Sequence, residues 1–281
     1  MNSPKKRNSL LCPNCKRLVS ASASTCPSCG LKRPGSILNN NFLTRSLDSD
    51  DGILRIIIAA NIFMFVLSLI TDPRISAFSG GLFSFLSPSS RSLLILGATG
   101  RIPLFEMGQW WSLISASYLH GGLLHLLFNM IALYQLGPLL IREYGASRMI
   151  AIYTLSGVGG YMISSFLGVN LTIGASASVC GLIGAALYYG KSRGGSYGNA
   201  VYSQIGGWAL TIFLFGFMVP GINNWGHGGG MLTGILAGYL LGYRDRSKEK
   251  IWHKYLSMIC IAVTILILLW ASIRGAVFLL Q

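Results

Sequence analysis

The sequence predicts an all-α fold, a polytopic membrane helix bundle with a small cysteine-rich module at its N-terminus. Of the 281 residues, 52% are hydrophobic and only 11% are charged, whereas soluble domains carry roughly 25% charged residues. Seven apolar segments approach the ~20 residues that an α-helix needs to cross a bilayer. Four of the six cysteines lie within the first 30 residues, as two C-x2-C pairs.

Composition divides the chain into four parts. Residues 1–33 hold the cysteine pairs, and residues 34–52 form a polar linker rich in Ser, Asn and Asp. Residues 53–243 are expected to form a six-span core, and residues 244–281 a cytosolic connection followed by a C-terminal seventh span. The predicted spans are 53–70, 113–136, 149–168, 176–190, 200–219, 226–243 and 254–273.

The basic residues predict the topology. With the N-terminus in the cytosol, 18 of the 22 Lys and Arg residues fall on the cytosolic side and only Arg74, Arg91, Arg101 and Arg274 on the other. Such asymmetry is typical of membrane proteins, so we expect a multi-pass protein of the plasma membrane that contacts the lipid bilayer. Because these charges lie in short clusters between apolar segments, the net charge of +14 does not indicate a nucleic-acid partner.

The N-terminal cysteines indicate a structural zinc site. Cys12 and Cys15 form one C-x2-C pair, and Cys26 and Cys29 form the other ten residues later. Four thiolates suit tetrahedral zinc and leave the metal no open position for catalysis. We therefore expect a zinc-ribbon-like module that contacts a cytosolic protein partner; the alternative is a disordered tail that carries cysteines.

Two polar residues begin neighbouring predicted spans. Ser176 opens the fourth span behind an uncharged loop, where a serine either caps the helix or lies beside free N–H groups that stabilise an oxyanion. His227 opens the sixth span, and a histidine inside an apolar helix is a functional candidate. If the two helices touch, Ser176 and His227 come within hydrogen-bonding reach.

Small residues on both spans favour that contact. They recur every four residues and so form seams that allow close helix packing. The alternative is that the glycines serve packing alone. The seam of the sixth span is Gly226, Gly230, Gly234, Gly238 and Gly242, and that of the fourth is Ala177, Gly181 and Ala185.

A second polar pair lies in the second span. His125 and Asn129 are four residues apart, so they share a helical face and both point into the bundle. They either donate hydrogen bonds to an oxyanion or hold helices together. The spans contain no carboxylate, which argues against a Ser-His-Asp triad and against an aspartyl protease. They also lack the H-E-x-x-H motif of metalloproteases. If the protein is catalytic, a Ser-His dyad is therefore expected.

Together these motifs resemble the rhomboid intramembrane serine proteases over residues 53–243. The G-x-S-G pattern of that family corresponds to residues 174–177, its H-x-x-x-N to residues 125–129, and its histidine before a glycine-rich helix to His227. The resemblance implies that Ser176 is the nucleophile and His227 the base, and that the oxyanion hole is formed by His125, Asn129 and the Ser176 backbone N–H. It also implies single-span membrane protein substrates and no cofactor for catalysis.

The sequence departs from the family pattern at three positions. Ala177 stands where the family has glycine, Ser112 follows Trp111 where an arginine is usual, and Cys180 occupies a site that is often aromatic. Ser178 is an alternative nucleophile, but two residues along a helix turn it about 200° away. A non-catalytic adaptor that binds transmembrane helices is the rival function; a transporter is disfavoured because the spans lack ionisable carboxylates.

Overall fold

The computed structural model describes residues 9–12, 17–30, 33–35, 52–72, 85–219, 221–247 and 249–280. The chain divides into two compact units, residues 1–57 and 58–281. Cys15 and most of the predicted linker, residues 36–51, lie outside the described residues.

The N-terminal unit contains a small antiparallel hairpin. Strand β1 (Ser9–Leu11) pairs with β2 (Leu18–Ser20) so that Leu10 lies opposite Val19. Val19 packs with Cys12 and Cys26, and these three are the buried residues of its core. Such a core is too small to stabilise a fold by burial alone, which fits a module stabilised by metal.

The rest of the described chain is mainly helical, which confirms the predicted all-α helix bundle. A π-helix spans Ile102–Glu106 and a short 3-10 helix spans Ala116–Tyr118. The α-helices are α1 (Gly52–Thr71), α2 (Ser90–Ile95), α3 (Ser112–Ser115), α4 (Leu123–Tyr144), α5 (Ala146–Phe166), α6 (Ser176–Arg193), α7 (Gly195–Met218), α8 (Asn224–Leu241) and α9 (Ile251–Leu279).

Within the described residues, five helices are long and apolar enough to cross a membrane: α1, α4, α5, α7 and α9. The glycine-rich helices α6 and α8 have 18 residues each but are less apolar. Helix α6 is surrounded by α4, α5, α7 and α8, and most of its residues are buried. Helix α6 therefore lies mainly against other helices rather than lipid, as polar groups in membranes require.

The predicted start of the second span, residue 113, is wrong. Helix α4 begins at Leu123, because the preceding residues fold into α3 and the 3-10 helix instead. The Ser112 hydroxyl donates to Thr99 Oγ1 (2.9 Å), and the Ser115 hydroxyl donates to the Gly97 carbonyl (2.8 Å). These hydrogen bonds are tertiary, so the apolar pattern of the segment does not reveal them.

Helices α6 and α8 touch along their backbones. A Cβ atom added to Gly230 or Gly234 would overlap a carbonyl oxygen of α6, and one added to Gly238 would lie 3.3 Å from an α-carbon. The paired positions advance by four residues on both helices, so the helices run parallel with both N-termini at one end. The pairs are Gly230 with Ala177, Gly234 with Gly181, and Gly238 with Ala185.

Substitution Gly234→Ala is expected to destabilise the protein. The new methyl group would overlap the carbonyl oxygen of Gly181, and overpacking of this kind costs about 1–3 kcal/mol. Thermal unfolding in detergent measures the change. The matched control is Gly206→Ala in α7, where an added Cβ meets no atom within 4 Å; equal unfolding temperatures for the two variants would contradict the close packing.

Candidate active site

Ser176 is the first residue of α6, and its hydroxyl is not used as a helix cap. The N-cap is Ala175, which makes no side-chain capping bond, and Gly174 precedes it with φ +121°. The first backbone bond into the helix joins Val179 N–H to the Ala175 carbonyl (2.9 Å). The N–H groups of residues 176–178 therefore have no intrahelical partner, and the partly exposed Ser176 lies among them.

His227 lies in the first turn of α8 at the same end of the bundle. Its side chain is 7% exposed, and its Nδ1 atom has no hydrogen-bond partner among the described residues. Because Gly230 contacts Ala177, His227 lies one turn earlier on nearly the same face, level with the start of α6. Ser176 and His227 thus lie near each other at the ends of two touching helices, but they form no hydrogen bond in this structure.

His125 lines the space beside Gly174. The Cβ position of Gly174 is 2.7 Å from His125 Nε2 and 3.6 Å from Ser176 Oγ, so a side chain here would fill the gap between them. His125 Nδ1 accepts a hydrogen bond from the Gly121 N–H (3.3 Å), which leaves the ring proton of neutral His125 on Nε2. A donor therefore lies next to the serine hydroxyl.

Asn129 supports the helix that carries His125. It is 6% exposed, and its amide donates to the His125 carbonyl (2.8 Å). The His120 ring packs edge-on against His125, with ring centroids 5.1 Å apart. His120 precedes the first residue of α4, so its position relative to His125 is not set by helical spacing.

Ser178 faces another part of the protein. It is fully buried, and its hydroxyl lies with that of Ser117 against Gly157 of α5. This orientation agrees with the rotation expected from helical geometry.

A network of polar residues that sequence reasoning missed holds the loop before Ser176. Thr99 and Thr172 exchange two backbone hydrogen bonds, of 3.0 and 2.6 Å. Asn223 caps α8 and donates to Thr172 Oγ1 (3.0 Å), and Tyr161 donates to the Gly174 carbonyl. The N-cap preference for asparagine was a usable signal for Asn223, whereas nothing in the sequence singles out Tyr161 or Thr172.

The C-terminal helix braces the same region. The Arg274 guanidinium lies 5.0 Å from the ring centre of Trp111, and that of Arg91 lies 4.5 Å from the ring of Phe278. Such cation-π contacts contribute roughly 0.5–2 kcal/mol each. Helix α9 also packs on α2, α3 and α5, so it lies against the segment that carries Trp111.

Three of the predicted zinc ligands lie together in the N-terminal unit. The sulfur atoms of Cys12, Cys26 and Cys29 are all within 4.8 Å of one another, and those of Cys12 and Cys29 are 3.6 Å apart. Tetrahedral zinc with Zn–S bonds of about 2.3 Å requires sulfurs about 3.8 Å apart. The cluster therefore fits a metal ion.

The sequence is similar to a known protein family and to several characterised sequences. A sequence model of the Rhomboid domain family matches residues 107–244, a range that contains His125, Asn129, Ser176 and His227 and ends before α9. The chain is 34% identical to RHOMBOID-like protein 4 of Arabidopsis thaliana over 66% of its length, and 33% identical to Rhomboid protease GluP of Bacillus subtilis over 56%.

These relatives are longer than the chain. The matched region covers 51% of the length of RHOMBOID-like protein 4 and 31% of the length of GluP. RHOMBOID-like protein 2 of Arabidopsis is matched more completely, with 30% identity over 77% of this chain and 75% of the relative. The likeness thus extends over most of at least one full-length relative.

Substitution Gly174→Ala is expected to block the space between His125 and Ser176. Displacement of about 1 Å at a reacting centre can cost 10²-fold in rate, so labelling of Ser176 by a fluorophosphonate should slow by about that factor. Gly168→Ala is the matched control, because Gly168 also has positive φ (+88°) but an added Cβ meets no atom within 4 Å. Similar labelling rates in the two variants would rule out the steric explanation.

Proposed function

The chain belongs to the rhomboid family, and we propose that it is an intramembrane serine endopeptidase that uses Ser176 and His227 as a dyad. The observation that carries this proposal is the parallel contact of α6 and α8, which brings a partly exposed hydroxyl and a buried imidazole to one end of the bundle. Hydrogen bonds at catalytic pairs are often long or poorly aligned before substrate binds, so the lack of one between Ser176 and His227 does not by itself exclude the dyad.

In the acylation step, Ser176 Oγ attacks the carbonyl carbon of the scissile bond while His227 takes the hydroxyl proton. The negative charge develops on the carbonyl oxygen, where the Ser176 backbone N–H and the His125 Nε2–H would donate hydrogen bonds. Asn129 is proposed as a further donor; it also holds the helix that carries His125. The C–N bond then breaks, and His227 returns the proton to the leaving amine.

In the deacylation step, water attacks the ester on Ser176. His227 accepts a proton from the water, and the same oxyanion donors stabilise the second tetrahedral intermediate. Collapse releases the carboxylic acid and transfers the proton back to Ser176 Oγ. The dyad has no carboxylate to orient the imidazole of His227, so its orientation depends on the packing of α8 against its neighbours.

Single-span membrane proteins are the proposed substrates. A hydrogen-bonded transmembrane helix shields its carbonyl groups, so the substrate must unwind locally to reach Ser176. Small, helix-destabilising residues are therefore expected at the cleavage site. We also propose that the N-terminus lies in the cytosol and that the protein resides in the plasma membrane, on the basis of the Lys and Arg distribution.

Loss of either dyad residue is expected to abolish proteolysis. Ser176→Ala and His227→Ala should each lower kcat on the order of 10⁴-fold or more, because the two groups act as a unit. Cleavage of a panel of single-span substrates in reconstituted vesicles measures the effect.

Ser178→Ala is the control for this experiment. It removes a hydroxyl from the same helix, but that hydroxyl is buried against α5, so its activity should stay within a few-fold of wild type. Cleavage that survives both Ser176→Ala and His227→Ala would discard the dyad.

A non-catalytic adaptor is the second candidate. The absence of a hydrogen bond between Ser176 and His227, together with Cys180 and Ser112 at positions where the family usually has other residues, favours it. A fluorophosphonate separates the two functions: an endopeptidase labels at Ser176, whereas an adaptor stays unlabelled under conditions in which an active rhomboid protease is labelled.

For the N-terminal unit we propose structural zinc bound by Cys12, Cys15, Cys26 and Cys29, and contact with a cytosolic protein partner. Bound zinc would supply the folding free energy that the small core lacks. Four thiolates leave the metal coordinatively closed, so the unit would take no part in the chemistry at Ser176.

Metal analysis of the purified full-length chain tests the zinc site. About one zinc ion per chain is expected, and Cys12→Ser should lower the zinc content severalfold because one of four ligands is lost. Cys260→Ser, in α9, is the control and should leave it unchanged. A wild-type chain that purifies without zinc and takes up none when zinc is added would contradict the proposal.

A further inference from the structure

A cavity of about 410 Å³ lies where α8 ends and α9 begins. Its volume is in the range of small-molecule sites. It lies at the opposite end of α8 from His227, so it is separate from the candidate active site. The residues that decide its chemistry are Leu240, Arg246, Ser247, Lys250, Trp252 and His253.

The floor of the cavity is held in place by buried polar groups. Arg148, which is fully buried, donates to the carbonyls of Gly242 (2.6 Å) and Ser247 (2.8 Å). His253 is 1% exposed, and its Nδ1 accepts from the Lys250 N–H (2.9 Å). The proton of neutral His253 is therefore on Nε2, which has no hydrogen-bond partner among the described residues.

The cavity wall is positively charged. Arg246 and Lys250 both line it and are exposed. Neither described carboxylate of this connection lines the cavity: Asp245 pairs with Arg193 (3.0 Å), and Glu249 lies beside Arg244 next to Gly145, within electrostatic range of His253. Among the described residues, the charged side chains that line the cavity are Arg246 and Lys250, which favours an anion.

The other side of the cavity is apolar and open towards the lipid-facing surface. Leu240 at the end of α8 is 64% exposed, and Trp252 in the first turn of α9 is 44% exposed. Tryptophan favours the level of lipid head groups. A ligand of this cavity therefore meets basic and hydrogen-bonding groups at one end and apolar side chains at the other.

We propose that this cavity binds the phosphate head group of an anionic phospholipid, with the acyl chains along the exposed surface beside Leu240. Basic pockets between transmembrane helices are suited to such head groups. Arg246 and Lys250 neutralise the phosphate, and the Ser247 hydroxyl is available as a donor. The bound lipid would tie α9 to α8 at this end of the bundle.

Lipid retention by the full-length protein tests the proposal. Wild type and the double variant Arg246→Gln/Lys250→Gln are reconstituted in nanodiscs of phosphatidylcholine with one fifth phosphatidylglycerol, extracted, and analysed by native mass spectrometry. The ratio of retained phosphatidylglycerol to phosphatidylcholine should fall roughly five- to thirtyfold in the variant, since a basic residue near the surface contributes about a fivefold preference.

The control variant Arg142→Gln/Lys191→Gln removes two positive charges from the ends of α4 and α6, neither of which lines the cavity, and it should keep the wild-type ratio. An equal fall in both variants would mean general charge attraction and would overturn the proposal. So would loss of the preference on addition of millimolar inorganic phosphate, which would identify free phosphate as the ligand. Melting temperatures in lipid-free detergent check that both variants remain folded.

Discussion

Contact between the backbones of α6 and α8 is the constraint on which the rest of the structure depends. Membrane helices gain little from burying apolar surface, because lipid is as apolar as a leucine side chain. Their association instead requires close packing, and here glycine on one helix admits the carbonyl groups of the other. The same contact fixes the relative height of the two N-termini, and hence the levels of Ser176 and His227.

Close packing alone does not set the position of the loop before Ser176. That loop is held from three sides: Thr99 pairs with Thr172, Asn223 donates to Thr172 Oγ1, and Tyr161 donates to the Gly174 carbonyl. Because Asn223 also caps α8, one side chain links the start of the histidine helix to the loop of the serine helix. Precise placement at a reacting centre requires such support.

The sequence predicted two kinds of feature: residues that repeat at a regular spacing, and residues such as cysteine whose side chains have a distinctive chemistry. Glycines every four residues predicted the α8 seam, and the cysteine pairs predicted a cluster of which Cys12, Cys26 and Cys29 are described. Individual tertiary hydrogen bonds were not predictable: Ser112 and Ser115 bond to Thr99 and Gly97, and the second span begins at Leu123, ten residues later than its hydropathy suggested. Tyr161 was missed for the same reason, since a buried tyrosine looks like core.

Helix α9 has different surroundings at its two ends. At the end that holds Ser176, Arg274 of α9 forms a cation-π contact with the Trp111 ring, and the Phe278 ring of α9 forms one with Arg91. At the other end, Arg246, Lys250, Trp252 and His253 line the cavity between the end of α8 and the start of α9. The like charges of Arg246 and Lys250 repel each other, so an anion bound between them would offset that repulsion and stabilise the start of α9.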